Sequence, residues 1–324
     1  MVAVVGEKDA TVFAIDAVHE RKRKLTNMDS ANEEGPWVEY IGTKAQTIEI
    51  VNRRDLAGLA GVLGYPIPLK EGRHVLPWPD NDVPPFAHWL NANPNVTRSK
   101  LGADGHPALG GFIPKFAFPR RMWAGSQVTV YAAYGIDQPV THRKSIESIT
   151  PKNGRSGNMI FLTMLHEFYV DTQLLVREVQ NLVYREKSTS AATIPDVMTA
   201  AEVNALFDYD WCETITPDPV WLFQYSAVSF NGHRIHYDRD YATQQEHYPG
   251  LLVQGPLCAT LLLNLYQKNN PDKRITAFDC RVVAPIYDNA DFFIFGAATE
   301  AGADLWVAGP DGQQCMTVFV RAEK

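Results

Sequence analysis

Titratable side chains with complementary chemistry cluster in one short segment of the sequence. Within six residues the chain places His233, His236 and Asp238. Histidine changes its charge close to neutral pH, so His236 could act both as a general base and as a general acid. Further along, Gly255 and Pro256 have the residue types that open a helix, where free backbone N–H groups can stabilise a developing negative charge. Such a combination suits acid–base chemistry beside a polarised oxygen.

The same residue types allow other interpretations. His233 and His236, with Asp238 and His247 nearby, could bind a metal ion, but a three-residue histidine spacing is common and the chain has no Cys-x-x-Cys pair. We therefore expect no metal site. His233 could also be a structural histidine that bonds to the backbone. Asp238 could act as a base, but it is expected rather to cap the helical turn over residues 239–242, because Asp is favoured at helix starts.

Composition sets the broad class of the protein. The 324 residues are 45% hydrophobic and 21% charged, which is ordinary for a soluble protein with a sizeable core. A net charge of −7 gives no basic surface for nucleic acid. No stretch reaches the roughly 18 apolar residues of a membrane helix. Four widely separated cysteines, without a zinc or redox pair, indicate a reducing compartment, and we expect a cytoplasmic location, or a mitochondrial one in a eukaryote.

Residue periodicity divides the chain into two halves of similar order. In the first half, residues 53–63 have apolar side chains at helical spacing and precede Gly64, a helix stop signal. A second short helical piece follows at residues 85–90. Alternating patterns then predict strands at residues 128–131, 142–149, 159–169 and 174–184. Asn153-Gly154 predicts a hairpin between the second and third of these strands.

The second half repeats this order. Residues 257–268 form a helix that is apolar on most sides and must therefore be enclosed. Strands are predicted at residues 275–284, 292–299 and 316–321, with residues 304–308 as a further candidate. A buried helix followed by long antiparallel strands, twice over, favours an α+β fold in which each sheet curls around one central helix. Pattern alone leaves open a generic pair of α+β layers.

A resemblance to the hydratase signature of MaoC-like hot-dog proteins is carried by the segment Phe230-Asn231-Gly232-His233-Arg234-Ile235-His236-Tyr237-Asp238. In that signature an acidic residue lies five positions before a histidine; here the two positions are Asn231 and His236. A Pro-Gly turn and then Gly255 match the continuation into the central helix. The sequence around His236 most resembles one branch, the mesaconyl- and itaconyl-type CoA hydratases and the mitochondrial-type 3-hydroxyacyl-thioester dehydratases.

The first half is similar to the degenerate amino-terminal domain of that branch. The similar segments are residues 101–107, 110–114, 119–125 and 154–157. The resemblance covers about residues 36–324 and implies a double hot-dog, with two antiparallel sheets that each wrap around a central helix. The implied boundaries are a tail or helix over residues 1–35, a degenerate hot-dog domain over 36–188, a linker over 189–212 and a catalytic hot-dog domain over 213–324.

The resemblance implies that the chain adds water to an α,β-unsaturated acyl thioester, or removes it again. Such a reaction needs a base to activate water, an acid to protonate Cα and donors for the enolate-like oxygen. His236 would be the acid and base, and the backbone N–H of Gly255 would face the thioester oxygen. Because the Asn231 amide cannot accept a proton, His236 would be the sole titrating residue, while Asn231 orients the water or the imidazole.

Several further residues are expected to contact the substrate or CoA. They are Arg234, His233, Arg120, Arg121, Tyr237, Gln254 and Trp89. Arginine holds phosphates and carboxylates by bidentate contacts, so Arg120 and Arg121 could grip CoA or an acidic acyl group, or could form a solvated pair. The same two interpretations apply to Arg234. Trp89 could line the acyl pocket or be a core aromatic.

The expected substrate is the CoA thioester of a branched or dicarboxylic short acid, such as mesaconyl- or itaconyl-CoA, in a site between the two halves. The close alternative is a 3-hydroxyacyl-thioester dehydratase of fatty-acid synthesis. Two other classes stay open: a hot-dog thioesterase, which would need a carboxylate where Asn231 stands, and a non-hydratase acyl-CoA binder or specialised biosynthetic enzyme. We expect no cofactor beyond the CoA of the substrate, no nucleic acid or membrane partner, and leave a homodimer open.

Overall fold

The computed structural model describes residues 37–79, 82–91, 93, 96–154, 157–186 and 196–324. The predicted tail or helix over residues 1–35 lies outside the described residues. The helices of the described part are α1 (Arg53–Val62), α2 (Ala200–Asn204), α3 (Pro219–Val228) and α4 (Gly255–Asn269). None of them is long and apolar enough to cross a lipid bilayer. The strands are β1 (Lys44–Ile50), β2 (Leu69–Lys70), β3 (Arg73–His74), β4 (Arg120–Val130), β5 (Pro139–Gly154), β6 (Gly157–Val170), β7 (Gln173–Arg185), β8 (Trp211–Ile215), β9 (Arg274–Val282), β10 (Phe292–Thr299), β11 (Gly302–Ala308) and β12 (Gln314–Glu323).

Ten strands form one antiparallel sheet in the order β1-β5-β6-β7-β4-β9-β12-β11-β10-β8, while β2 and β3 pair separately. Each half of the chain contributes five strands to this sheet. Counted from its outer edge inward, each half is arranged in the order first, third, fourth, fifth and second of its own five strands. The two second strands, β4 and β9, pair in the middle, with Gly125 opposite Arg281 and Thr129 opposite Ala277. The molecule therefore contains the same topology twice, joined edge to edge, as a double hot-dog requires.

The predicted strand at residues 128–131 is the end of a much longer one. β4 begins at Arg120 and changes register between Trp123 and Gly125. Gly125 has a φ of 144°, and any side chain there would collide with the carbonyl oxygen of Cys280 on β9. Such a bulge breaks the period-two pattern, so alternation predicts only the regular end of the strand.

The sequence patterns also do not predict the two edge strands. Most side chains of β1 are exposed, and β8 alternates between half-buried and exposed positions. Edge strands of this kind need no continuous apolar face, because one of their sides meets solvent. Residues 196–212 of the predicted linker contain α2 and the first two residues of β8.

The second half encloses α4, as its apolar composition predicts. Residues 257–266 of this helix are all buried, and the helix packs against β8, β10, β11 and β12. One polar group among them, the Asn264 side chain, accepts a hydrogen bond from the Tyr65 hydroxyl at 2.9 Å. This bond joins the later part of α4 to the segment that follows α1, while the apolar contacts hold the helix on the sheet.

In the first half a different element packs against the sheet. Its sheet packs against the short 3-10 helix Ala87–Asn91, through ring contacts of His88 with Phe168 on β6 and of Trp89 with Trp123 on β4. The longer helix, α1, packs instead against α3 of the second half. Among the described residues of the first half, this position is occupied by the short 3-10 helix and not by a long apolar helix like α4.

A buried carboxylate ties this short helix to the sheet. Glu178 on β7 is 1% exposed and accepts hydrogen bonds from His88 Nε2 at 3.1 Å and Trp89 Nε1 at 3.2 Å. The Ser126 hydroxyl of β4 donates a third one. Burial alone would raise the pKa of Glu178, but the hydrogen bonds and the charge of His88 lower it to about 2. The carboxylate is therefore ionised and is part of the core.

Glu178→Ala is expected to lower the free energy of unfolding by about 3–5 kcal/mol, because it leaves buried donors without an acceptor. Chemical denaturation measures the loss. Glu167→Ala serves as the control, since Glu167 pairs with the half-exposed Arg177 at 3.9 Å, and the change should stay within about 1 kcal/mol. Equal losses for both variants would contradict the importance of the buried network.

Candidate active site

A cavity of about 580 Å³ lies between the two halves of the sheet. Its walls include β4 and β7 of the first half and the start of α4 in the second half. The lining residues that matter below are Trp89, His106, Arg121, Trp123, Asn231, His233, His236 and Gly255. The structure therefore places the three residues predicted to perform the chemistry, His236, Asn231 and Gly255, in one cavity. Its opposite wall comes from the first half, which is distant in sequence.

His236 is held as a neutral imidazole with a defined orientation. It ends a short 3-10 helix, Arg234–His236, and its ring is buried. Its Nδ1 atom lies 2.9 Å from the carbonyl oxygen of Leu252, which can only accept, so Nδ1 carries the hydrogen and Nε2 has the free lone pair. Burial lowers the pKa of His236 to about 4, against the opposing effect of the Leu252 hydrogen bond. At neutral pH the ring is therefore available as a base.

The same hydrogen bond links His236 to the start of α4. The backbone N–H of Leu252 donates to the carbonyl of Ile235 at 3.0 Å, and Leu252 also forms a β-bridge with Tyr287. The chain between these contacts and α4 is only two residues long. The position of the imidazole relative to the helix start is consequently fixed by backbone contacts on both sides.

The first turn of α4 offers a backbone donor to the cavity. The N-cap residue, Gln254, does not cap the helix with its side chain, whose amide nitrogen donates instead to Leu222 O at 2.9 Å and Ser226 Oγ at 3.0 Å. Within the described residues the N–H of Gly255 has no hydrogen-bond partner. A Cβ at Gly255 would lie 2.6 Å from the Trp123 ring. Only glycine therefore fits between the helix start and this ring.

Asn231 combines a structural contact with a free donor. Its Oδ1 atom accepts the backbone N–H of His233 at 3.1 Å, and its own N–H donates to Ser226 O at 2.7 Å. In the part of the chain that the structure describes, its Nδ2 group has no hydrogen-bond partner, although the side chain lines the cavity. Asn231 can therefore donate to a water or a substrate there, but it cannot take up a proton.

His106 is a site residue that the sequence reasoning did not assign. Its loop packs backbone to backbone on the second half. Gly105, with a φ of 87°, permits this contact, because a side chain there would collide with the Gly232 carbonyl. The ring centroids of His106 and His233 lie 4.4 Å apart, and those of His233 and His236 lie 5.4 Å apart. The available signal was the resemblance of residues 101–107, which indicated the family but not the contact.

The cavity combines neutral imidazoles with cationic side chains, since Arg121, Arg185 and Arg281 all line it. Burial is the main cause that lowers the pKa of both His106 and His233 well below the ordinary value, and the nearby charge of Arg121 adds to it. Arg121 itself forms no ion pair or hydrogen bond with the described residues. Within those residues no group of three or more His, Cys, Asp or Glu side chains is arranged to hold a metal ion.

Two of the predicted binding arginines have other partners. Arg120 is buried, donates to the Glu246 carboxylate at 2.9 Å and stacks on the Tyr248 ring, 4.7 Å from its centroid. Arg234 pairs with Asp238 at 2.7 Å and lies outside the cavity. In the structure both arginines form intramolecular ion pairs, buried for Arg120 and partly exposed for Arg234.

The remaining predicted residues divide between the cavity and its supports. Trp89, His233 and Arg121 line the cavity, whereas Tyr237 and Gln254 do not. The Tyr237 hydroxyl donates to the Gly232 carbonyl at 3.0 Å on the surface. Gln254 is buried and joins α4 to α3.

Asp238 occupies the helix-capping position predicted for it. Its Oδ1 atom accepts the backbone N–H of Tyr241 at 3.0 Å, at the start of the π-helical turn Tyr241–Gln245. The carboxylate also pairs with Arg234, and both interactions lower its pKa. The residue therefore supports the segment that carries His236 rather than the chemistry.

Comparison with known protein sequences connects the chain to one group of enzymes. Residues 86–288 match the family described as hydroxyacyl-thioester dehydratase type 2. The chain is 37% identical over 284 residues to mesaconyl-C(4)-CoA hydratase of Chloroflexus aurantiacus, which covers 88% of this chain and 97% of that protein. It is 26% identical over 250 residues to the mitochondrial hydroxyacyl-thioester dehydratase type 2 of Schizosaccharomyces pombe. That alignment covers 69% of this chain and 79% of the yeast protein.

Solved structures confirm the predicted fold. HtdX of Mycobacterium tuberculosis superimposes with a TM-score of 0.60 at 18% identity, over 87% of this chain and all of that one. A second protein of that organism, described as having a double hot-dog fold, gives a TM-score of 0.52 at 10% identity, over 87% of this chain and 96% of that one. These likenesses are to the α+β double hot-dog and concern the fold alone.

The neutral state of His236 predicts a specific pH dependence of stability. The unfolded chain protonates this histidine near 6.5 and the folded chain near 4, so between these values the unfolded state binds more protons and acid favours unfolding. Compared with His236→Gln, the unaltered protein should lose about 1.4 kcal/mol of stability per pH unit across that window. Urea denaturation of both proteins above and within the window measures the difference. A constant difference would contradict the buried neutral imidazole.

Proposed function

Because the chain belongs to the hydroxyacyl-thioester dehydratase type 2 family, we propose that it catalyses the reversible hydration of an enoyl-CoA thioester to the 3-hydroxyacyl-CoA. The observation that carries this proposal is the neutral His236, whose free Nε2 atom shares the cavity with the Gly255 N–H, a donor without a partner among the described residues. Water activation and stabilisation of a thioester enolate are the two requirements of the reaction, and these groups supply one each.

In the hydration direction, His236 Nε2 accepts a proton from water while the water oxygen bonds to Cβ. The electron pair of the double bond moves towards the thioester oxygen, where the Gly255 N–H and the positive end of α4 stabilise it. The protonated His236 then transfers the proton to Cα, and this completes the addition of water. Its pKa of about 4 favours this return, because the buried imidazolium is a stronger acid than an exposed one.

The proposal assigns Asn231 a positioning role. Its free amide N–H group can hold the attacking water or the acyl group near His236, while its oxygen is occupied by the His233 backbone. A carboxylate as a second base beside His236 is not required, because the one imidazole can both take up and return the proton. The thioesterase alternative gains no support, since it would need a carboxylate at the position of Asn231.

For the acyl group we propose a short branched or dicarboxylic acid of the mesaconyl or itaconyl type. The similarity to mesaconyl-C(4)-CoA hydratase, which extends over almost the whole of that protein, supports this choice. A 3-hydroxyacyl-thioester dehydratase of fatty-acid synthesis is the second candidate, and it is supported by the similarity to the yeast enzyme. The free cysteines agree with a reducing, cytoplasmic location, and no cofactor beyond the CoA of the substrate enters the scheme.

Replacement of the base should abolish most of the activity. His236→Ala is expected to lower kcat/KM for mesaconyl-CoA, itaconyl-CoA or crotonyl-CoA by about 10²–10⁴-fold, the usual contribution of a positioned acid–base group. Loss of the enoyl-thioester absorbance in the ultraviolet measures the rate. His247→Asn is the control, since His247 lies outside the cavity lining and Asn tolerates its φ of 58°. Release of free thiol without hydration would point to a thioesterase instead.

The helix start gives a second test. Gly255→Ala is expected to lower kcat/KM by about 10²-fold, because its Cβ would displace Trp123 or the first turn of α4 by several tenths of an ångström or more. Gly111→Ala is the matched control, since a Cβ there meets no atom within 4 Å. Circular dichroism and unfolding curves establish that both variants fold. Full activity of Gly255→Ala would remove the backbone N–H from the scheme.

A further inference from the structure

Two consecutive arginines on β4 have opposite environments. Arg120 is buried and its guanidinium is neutralised by Glu246. Arg121 points to the other face of the strand, is half-buried and lines the cavity. In the described residues it has neither an ion pair nor a hydrogen bond. A guanidinium partly withdrawn from water normally has an anionic partner, so its partner here is expected to be a bound molecule.

The groups around Arg121 are rich in donors and poor in acceptors. The guanidinium has five N–H donors, and the neutral imidazoles of His106 and His233 have one each. No hydrogen bond of these two rings is found within the described part of the chain. Asp104 is close enough for the charge of Arg121 to act against the burial that raises the pKa of its carboxyl, but the two side chains form no ion pair. The Asp104 carboxylate accepts the backbone N–H of His106 at 3.1 Å instead.

A further unpaired donor adjoins this cluster. Tyr184 is the cross-strand partner of Arg121 between β4 and β7, and its buried hydroxyl has no hydrogen-bond partner in the described chain. The three donor side chains Arg121, His106 and His233 border the cavity itself. The charge of Arg121 acts on both imidazoles, and a guanidinium can bind an anion with two oxygen atoms in bidentate fashion.

We infer that Arg121, together with the imidazoles of His106 and His233, binds a carboxylate carried by the acyl group of the substrate, so that the cavity selects enoyl thioesters of dicarboxylic acids. This inference rests on the proposed hydratase function for the identity of the bound thioester. Arg121 is then a specificity-determining residue that contacts the substrate, while His236 performs the proton transfers.

The position of the cluster favours a carboxylate on the acyl group over the phosphates of CoA. His233 is the ring next to His236, at 5.4 Å between centroids, and His106 and Arg121 lie beyond it. His236 must reach the double bond, so the cluster lies next to the reacting carbons. The phosphates lie at the opposite end of the pantetheine arm. In mesaconyl-C4-CoA the free carboxylate is bonded to Cβ itself, which agrees with this short separation.

The test compares two substrates that differ only at this group. Mesaconyl-C4-CoA carries a carboxylate on Cβ where 3-methylcrotonyl-CoA carries a methyl group. Arg121→Gln should lower kcat/KM for mesaconyl-C4-CoA by about 10- to 100-fold, the loss expected for a hydrogen-bonded charge pair, and leave 3-methylcrotonyl-CoA unchanged or improved. Arg121→Lys should lie between, since it keeps the charge but loses the bidentate contact. Arg177→Gln, at a half-exposed position of β7 outside the cavity lining, is the control.

Equal losses for both substrates would overturn the inference, because they would indicate a contact with CoA or a structural role. An unchanged preference in Arg121→Gln would overturn it as well. Binding of saturated analogues separates the inference from the proposed reaction, because it needs no catalysis. By calorimetry, methylsuccinyl-CoA should bind more tightly than isovaleryl-CoA to the unaltered protein, and Arg121→Gln should remove the difference. If no enoyl thioester is hydrated but this binding difference is found, the hydratase proposal fails and the carboxylate site stands.

Discussion

The pairing of β4 with β9 is the interaction on which the rest of the structure depends. It joins two copies of one topology into a continuous sheet, and the cavity lies along this junction. β4 serves both sides of it: Gly125 lets the backbones approach, while Trp123 covers the start of α4. Neither half could form the site alone, because the second half supplies His236 and Gly255 and the first supplies the opposite wall.

Burial at this junction also sets the chemistry of the histidines. An exposed imidazole would titrate close to neutral pH, whereas desolvation keeps His236, His233 and His106 neutral. The Leu252 carbonyl then decides which ring nitrogen of His236 is free. A neutral ring of known tautomer, beside a helix start that no side chain caps, is a preorganised environment for a reaction that develops negative charge. The first half contributes other lining side chains to the cavity, among them Trp89, His106 and Arg121.

The sequence predicted the elements with strong periodicity and missed those without it. The enclosed helix α4 and the long strands β5, β6 and β7 follow from apolar patterns, since each must hide one face or all faces from water. The irregular part of β4 and the edge strands β1 and β8 do not, because a bulge or a solvent-facing edge removes the pattern. The residues proposed for the chemistry could be selected from the sequence because His236, Asn231 and Gly255 lie within one continuous segment.

The sequence by itself thus determined the family resemblance, the double hot-dog class and the residues proposed for proton transfer, since these depend on local order along the chain. Only the tertiary structure decided which of two adjacent arginines faces the cavity, because Glu246 neutralises Arg120 from more than a hundred residues away. It likewise decided that His106 joins His233, through a glycine contact between the two halves. Partners of this kind are chosen by the folded backbone in three dimensions, and spacing along the sequence carries no record of them.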